Sequence, residues 1–223
     1  MKMIIELKEL TKIYFMGEVK VNALDDVSLT VKKGEFVSIM GPSGSGKTTL
    51  LNIIGCIDRP TSGHVMISGT DVTAMSEREL DILRLHKIGF VFQRINLIPI
   101  LSAAENVELP MEIAGVPPGE RQKRTAELLR SVGLAHRANH RPGQMSAGEQ
   151  QRVGIARAIA NQPDILLADE PTGNLDSKTS LEIITLLRRL NTDYGQSIIL
   201  VTHNAEIGES AHRTIHIKDG KII

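Results

Sequence analysis

The stretch Gly41-Pro42-Ser43-Gly44-Ser45-Gly46-Lys47-Thr48 constrains this 223-residue chain more than any other. Before it stands Phe36-Val37-Ser38-Ile39-Met40, a nearly continuous apolar run suited to a strand buried on both faces. After it, Thr49-Leu50-Leu51-Asn52-Ile53-Ile54 reads as the start of a helix. Strand, glycine loop and helix in that order are the context that G-x-x-x-x-G-K-[ST] requires. Glycines let the backbone wrap closely, so successive N–H groups can point at phosphate oxygens. The helix N-terminus adds the positive end of its dipole. Lys47 is placed to reach the β- and γ-phosphates, and the Thr48 hydroxyl to ligate Mg²⁺. Gly41 to Thr48, with Thr49 behind them, are therefore the candidate nucleotide-binding residues. The loop alone does not separate kinases, GTPases and ATPases.

Two further apolar runs end in polar residues. Ile165-Leu166-Leu167-Ala168 leads into Asp169-Glu170, and Ser197-Ile198-Ile199-Leu200-Val201-Thr202 leads into His203. In open α/β sheets ligands sit at the carboxyl ends of the strands, so all three groups are expected at one sheet edge. Asp169 then holds Mg²⁺. Glu170, turned towards the nucleotide, is placed to polarise the attacking water as general base. The plainer reading is a solvated acidic turn before Pro171, but a buried strand ending in two carboxylates is otherwise costly.

Between these strands, about Gln93 to Val153, the composition changes. Pro99, Pro110, Pro117, Pro118 and Pro142 fall here, and Glu120 to Leu129 reads as a polar helix. We expect an α/β core of residues 1–92 and 154–223 with an inserted helical subdomain at 93–153. Leu181 to Leu190 has apolar residues at helical spacing, and Asp176 or Ser177 would cap that helix.

Met145-Ser146-Ala147-Gly148-Glu149-Gln150 opens another helix. Ser146 and Glu149 fit an S-x-x-E capping box. A capped helix explains those two residues but not Gly148, in a turn that favours better helix formers. A glycine there allows a ligand close to free N–H groups, so this helix end is a second candidate phosphate grip.

Bulk properties exclude several classes. Lys+Arg and Asp+Glu both number 26, aromatics are 3% and Trp is absent. Neither a basic footprint nor a base-stacking platform is available, so no nucleic-acid partner is expected. The lone Cys56 reads as a small buried apolar residue in a reducing setting. Met1-Lys2-Met3-Ile4-Ile5-Glu6 does not read as a signal peptide. No apolar run approaches the ~18 residues needed to cross a bilayer.

Taken in order, these motifs resemble the nucleotide-binding subunit of an ABC (ATP-binding cassette) transporter over nearly the whole chain. Gly41–Thr48 is similar to the Walker A loop, Gln93 to the Q-loop glutamine, and Met145–Gln150 to the signature. Ile165–Asp169 with Glu170 is similar to Walker B and the catalytic glutamate. Asn174-Leu175-Asp176 resembles the D-loop, His203 the switch histidine, and Tyr14 the aromatic stacked on adenine. The resemblance implies a P-loop core with an inserted helical subdomain and an N-terminal antiparallel β region. It also implies ATP and Mg²⁺ as ligands, with Gln93 sensing the metal beside Thr48 and Asp169. His203 would contact the γ-phosphate. Two subunits would close head to tail in an ATP-dependent homodimer. Each ATP would lie between one Walker A loop and the partner's Ser146, Ala147, Gly148 and Glu149. An integral membrane permease of FtsX-like type would be the further partner, with a periplasmic adaptor as an optional third. That places the chain in the cytoplasm, on the inner (plasma) membrane face. Relatives often continue past the point where this chain stops at Ile223.

The signature departs from the usual Leu-Ser-Gly-Gly-Gln. Met145 replaces Leu, a volume-conserving swap. Ala147 replaces Gly. Glu149 replaces Gln, and a carboxylate near a γ-phosphate would repel it unless the capping box turns it away; reduced but present hydrolysis is expected. The Asp169 to Asp176 stretch resembles a cluster of lipoprotein-releasing, macrolide-exporting and FtsE-like ATPases. His136-Arg137-Ala138-Asn139-His140-Arg141-Pro142 is most similar to the lipoprotein-releasing member and otherwise reads as a surface loop. The alternative to transport is an FtsE-like, ATP-switched subunit regulating cell-wall or division machinery.

Overall fold

The apolar runs pair as a parallel sheet. A computed structural model describes residues 2–223. Strands β3 (Phe36–Met40), β6 (Ile88–Phe92), β7 (Ile165–Asp169), β8 (Ser197–Thr202) and β9 (Arg213–Lys218) lie in the order β9-β3-β8-β7-β6, all parallel. The short β10 (Lys221–Ile222) adds an antiparallel edge to β9. The three strands singled out in the sequence are immediate neighbours. Register aligns their ends: Met40 lies opposite Thr202, Asp169 opposite Val201, and Phe92 opposite Asp169.

A second sheet is antiparallel. β1 (Met3–Met16) and β2 (Val19–Lys32) form a long hairpin, extended by β4 (Ser62–Ile67) and β5 (Thr70–Asp71) in the order β2-β1-β4-β5. Helix α1 (Lys47–Ile54) contributes Leu50, Leu51, Ile53 and Ile54 to a core shared by both sheets. Successive residues of a strand face opposite ways. Ile165 and Leu167 of β7 accordingly join this core, while Leu166 and Ala168 join the one on the other face. That second core is closed by Ile183, Ile184, Leu187 and Leu190 of α6 (Ser177–Tyr194) and by Ile155 of α5 (Ala147–Ala158). Two-faced burial is why these runs do not alternate with polar residues. Truncating a side chain such as fully buried Leu200 to Ala would cost about 2–5 kcal/mol.

α2 (Glu77–Lys87) precedes β6. Beyond β6, α3 (Ala103–Ile113) and α4 (Pro118–Ser131) pack with α5 around a third core that includes Leu97, Val107, Met111, Leu129, Met145 and Val153. α5 thus faces two cores, with Ile155 towards the sheet and Val153 and Ala156 towards α3 and α4. Asp176 caps α6 by accepting from the Thr179 N–H, and Gly195 ends that helix in the left-handed region. Cys56 is buried in the first core, and burial pushes its thiol up to about 11. A four-residue helix, α7 (Ala205–Gly208), follows β8. Among the described residues, no helix is long and apolar enough to cross a membrane.

Candidate nucleotide site

The glycine loop runs from the end of β3 to the start of α1. Gly46 caps α1 with φ 104°, a conformation costly for any residue with a side chain. A Cβ there would also sit 2.4 Å from the Ala23 carbonyl oxygen of β2. Lys47 is nearly buried, and its Nζ donates to the carbonyls of Gly41 (2.8 Å) and Pro42 (2.7 Å).

At the end of β7, burial and the neighbouring Glu170 charge push the Asp169 carboxyl up; the Thr48 hydroxyl and Lys47 oppose them. A hydroxyl and a carboxylate side by side are the hard oxygen donors that Mg²⁺ prefers, so the residues present fit that ion. Glu170 leaves the strand at φ 43°, with its N–H bonded to the Val201 carbonyl at 2.9 Å. This turn lets two consecutive carboxylates flank one cleft. The His203 Nδ1–H donates to Glu170 Oε2 at 2.9 Å. Gln93 follows Phe92, whose register partner is Asp169, so the parallel pairing itself carries it to this edge.

These groups share one cleft of about 760 Å³. Ser43, Gly44, Gly46, Lys47, Thr48 and Thr49 form one wall, and Gln93, Asp169, Glu170 and His203 another. Val21, Asn22 and Ala23 of β2 complete it, a contribution that no sequence motif signals. Gly41, Pro42 and Ser45 support the loop without lining the cleft; Ser45 is buried. A separate depression of about 500 Å³, between α6 and the chain after β8, shares only Glu170 and His203 with it and has no glycine-loop residue.

Tyr14 does not line the cleft, but its hydroxyl lies beside that of Thr49, which does. Its hydroxyl donates to Asp58 Oδ2 at 2.6 Å, and Lys12 Nζ both donates to Asp58 Oδ1 at 2.6 Å and lies 4.8 Å from the ring centre. Burial would raise the Asp58 pKa, and the Lys12 and Tyr14 hydrogen bonds overcome that and hold it low. The triad ties the Tyr14 hydroxyl to the segment after α1, and only the aromatic was legible beforehand.

None of Ser146, Ala147, Gly148 and Glu149 lines this cleft. The capping box forms as expected: Ser146 Oγ accepts from the Glu149 N–H at 3.2 Å, and Glu149 Oε2 accepts from the Ser146 N–H at 2.8 Å. Two points correct the sequence reading. Gly148 has a reason within its own chain, since a Cβ there would lie 2.4 Å from the Thr179 methyl of α6. The segment from His136 to Pro142 is also more than a surface loop. Its carbonyls at Ala138 and His140 accept the first N–H groups of α3, and Arg137 Nε donates to Glu149 Oε1 at 2.9 Å.

A glycine loop, two strand-end carboxylates and a strand-end histidine around one cleft define a P-loop ATPase cassette. The chain belongs to the ABC transporter family, which residues 24–173 match. It is 56% identical over 222 residues to an uncharacterized ABC transporter ATP-binding protein of Thermotoga maritima, covering 100% of this chain and 94% of that one. It is 50% identical over 220 residues to the macrolide export ATP-binding/permease protein MacB of Hyphomonas neptunium. That match covers 99% of this chain and 34% of MacB, so the chain spans about a third of the exporter. A solved structure of an ATP-binding cassette, dimeric and in a post-hydrolysis state with ADP and Pi, matches with TM-score 0.91 at 50% identity. It covers 98% of this chain and 96% of the other. This chain is an ABC transporter ATP-binding subunit and an ATPase.

Proposed function

We propose that this ATPase powers a membrane permease, of the lipoprotein-releasing or macrolide- and peptide-exporting type, from the cytoplasmic face of the inner membrane. The observation that carries the reading is the division of phosphate-binding features between two places. The cleft at Gly41–Thr48 holds Lys47, Glu170 and His203, yet Ser146 to Glu149 lie outside it. Each chain then supplies half of two sites, and an ATP-dependent head-to-tail homodimer completes both.

Within one site, the loop N–H groups and Lys47 bind the phosphates, and Tyr14 stacks on adenine. Lys47 would exchange the loop carbonyls of Gly41 and Pro42, which its Nζ now bonds, for phosphate oxygens. Thr48 and Asp169, with Gln93 alongside, would hold Mg²⁺, which when bound offsets charge on the ATP phosphates. Glu170 orients and deprotonates the attacking water. His203 fixes the Glu170 carboxylate through the 2.9 Å hydrogen bond and stands ready for the γ-phosphate. The permease belongs to the FtsX-like type, with a periplasmic adaptor as an optional partner.

Co-purification with a candidate permease, followed by reconstitution in liposomes, tests this. Permease-stimulated ATP hydrolysis with release of a lipoprotein, macrolide or peptide supports the reading. Stimulated hydrolysis with no cargo leaving the membrane favours an FtsE-like switching role, and failure to bind any such permease overturns both.

A further inference from the structure

The Ser146–Glu149 capping box has two counterparts in the same chain, Ser76–Glu79 on α2 and Ser102–Glu105 on α3. In each, one glutamate oxygen accepts the backbone N–H of the cap serine. Among the described residues, only at α5 does a cation hydrogen-bond the other oxygen: Arg137 Nε donates to Glu149 Oε1 at 2.9 Å, whereas Arg141 acts on Glu105 through its charge without a hydrogen bond. Both oxygens of Glu149 are therefore engaged inside the chain, and its charge is matched by a guanidinium from a different element. The difference falls on the one capped helix whose N-terminus is proposed to receive a partner's ATP.

We infer that Arg137 is a positioning residue of the signature face. It holds the Glu149 carboxylate folded back on the Ser146 N–H and neutralises it. The inference rests on the head-to-tail dimer proposed above. A helix N-terminus attracts phosphate through its free N–H groups and dipole, and an unmatched carboxylate in its first turn works against a polyanion. Arg137 removes that conflict and lets a glutamate occupy a position where neutral glutamine would otherwise be needed. The guanidinium fork suits the task because it fixes the carboxylate's direction as well as its charge.

The test is a double-mutant cycle in the full chain, read as the ATP concentration that half-saturates dimer formation in the Glu170→Gln background and as KM and kcat without it. Arg137→Met should raise the half-saturating ATP concentration roughly tenfold, the scale of a nearby uncompensated charge. The shift should be larger at low salt. KM should rise more than kcat falls. Arg137→Lys should recover part of the loss. Glu149→Gln should recover nearly all of it in combination with Arg137→Met, because no charge then remains to be matched. If the two substitutions are additive, or Arg137→Met leaves dimerisation unchanged, the inference fails alone. A chain that stays monomeric with ATP before any change at Arg137 sinks the dimer reading, and the inference with it. Should Arg137→Met melt early, Arg137→Gln reads the same coupling with a donor retained.

Discussion

Glu170 and His203 meet side chain to side chain, with 2.9 Å between Oε2 and Nδ1, across the carboxyl ends of two adjacent parallel strands. The contact exists because Glu170 turns out of β7 at φ 43°, while His203 directly follows β8. It joins the expected general base to the residue expected to sense the γ-phosphate.

Glu170→Gln should lower phosphate release by about 100-fold or more while ATP binding persists, since it removes the base and keeps the shape. His203→Ala should lower kcat by a similar order and leave ATP affinity within a few-fold. Steady-state phosphate release and equilibrium nucleotide titration separate the two effects. A Glu170→Gln protein hydrolysing at the parental rate would remove Glu170 from the chemistry.

Gly148→Ala should destabilise the chain by about 1–3 kcal/mol, because the new methyl overlaps the Thr179 methyl of α6. Thr179→Ser deletes that methyl and leaves the next Thr179 atoms at ordinary contact distance, 3.8 Å or more from the added Cβ. Denaturant melts of the single and double variants should show most of the loss recovered. If the double variant is no better than Gly148→Ala, the glycine is not held by packing against α6.

Acid should weaken the capping boxes. The Ser146 N–H, then Arg137, draws the Glu149 pKa below the usual glutamate range, despite some desolvation. Glu79 and Glu105 are lowered in the same way by their cap serines. A folded pKa below the unfolded one gives stability that is present above the ordinary glutamate value. That stability is lost as pH falls through the lower folded value. Glu149→Ala, which deletes the carboxylate and keeps the Ser146 N–H, should cost about 1 kcal/mol at neutral pH. Its deficit should shrink in melts taken below about pH 4, and a constant deficit down to pH 3 would argue that the Glu149 carboxylate plays no part in the cap.

Tyr14→Ala should weaken ATP binding about tenfold, the scale of one aromatic–base stack. Asp58→Ala should weaken it less, because the ring remains but loses its hydroxyl anchor and the Lys12 bridge. Fluorescent-nucleotide titration checks both. Parental affinity in Tyr14→Ala would place adenine elsewhere.

Much of the site could be read along the chain because its parts are local. Gly41 to Thr48 is a contiguous loop, Asp169-Glu170 and His203 each end an apolar run, and Ser146 and Glu149 lie three residues apart in a capping box. Gln93 could be assigned only by resemblance; its place came from pairing, since Phe92 lies opposite Asp169. Arg137 reaching Glu149, Thr179 against Gly148, Lys12 and Asp58 around Tyr14, and the β2 wall of the cleft carry no motif.

Sequence by itself therefore determined the phosphate loop, the buried parallel strands and the capped helices, since those depend on backbone conformation and on periodicities of two or 3.6 residues. Tertiary structure alone decided which side chains from distant segments meet, because such contacts depend on sheet order, register and helix packing. Whether the Glu149 carboxylate repels phosphate belongs to the second kind. Its hydrogen bond to Ser146 is local, and its match to Arg137, on which its net charge depends, is not.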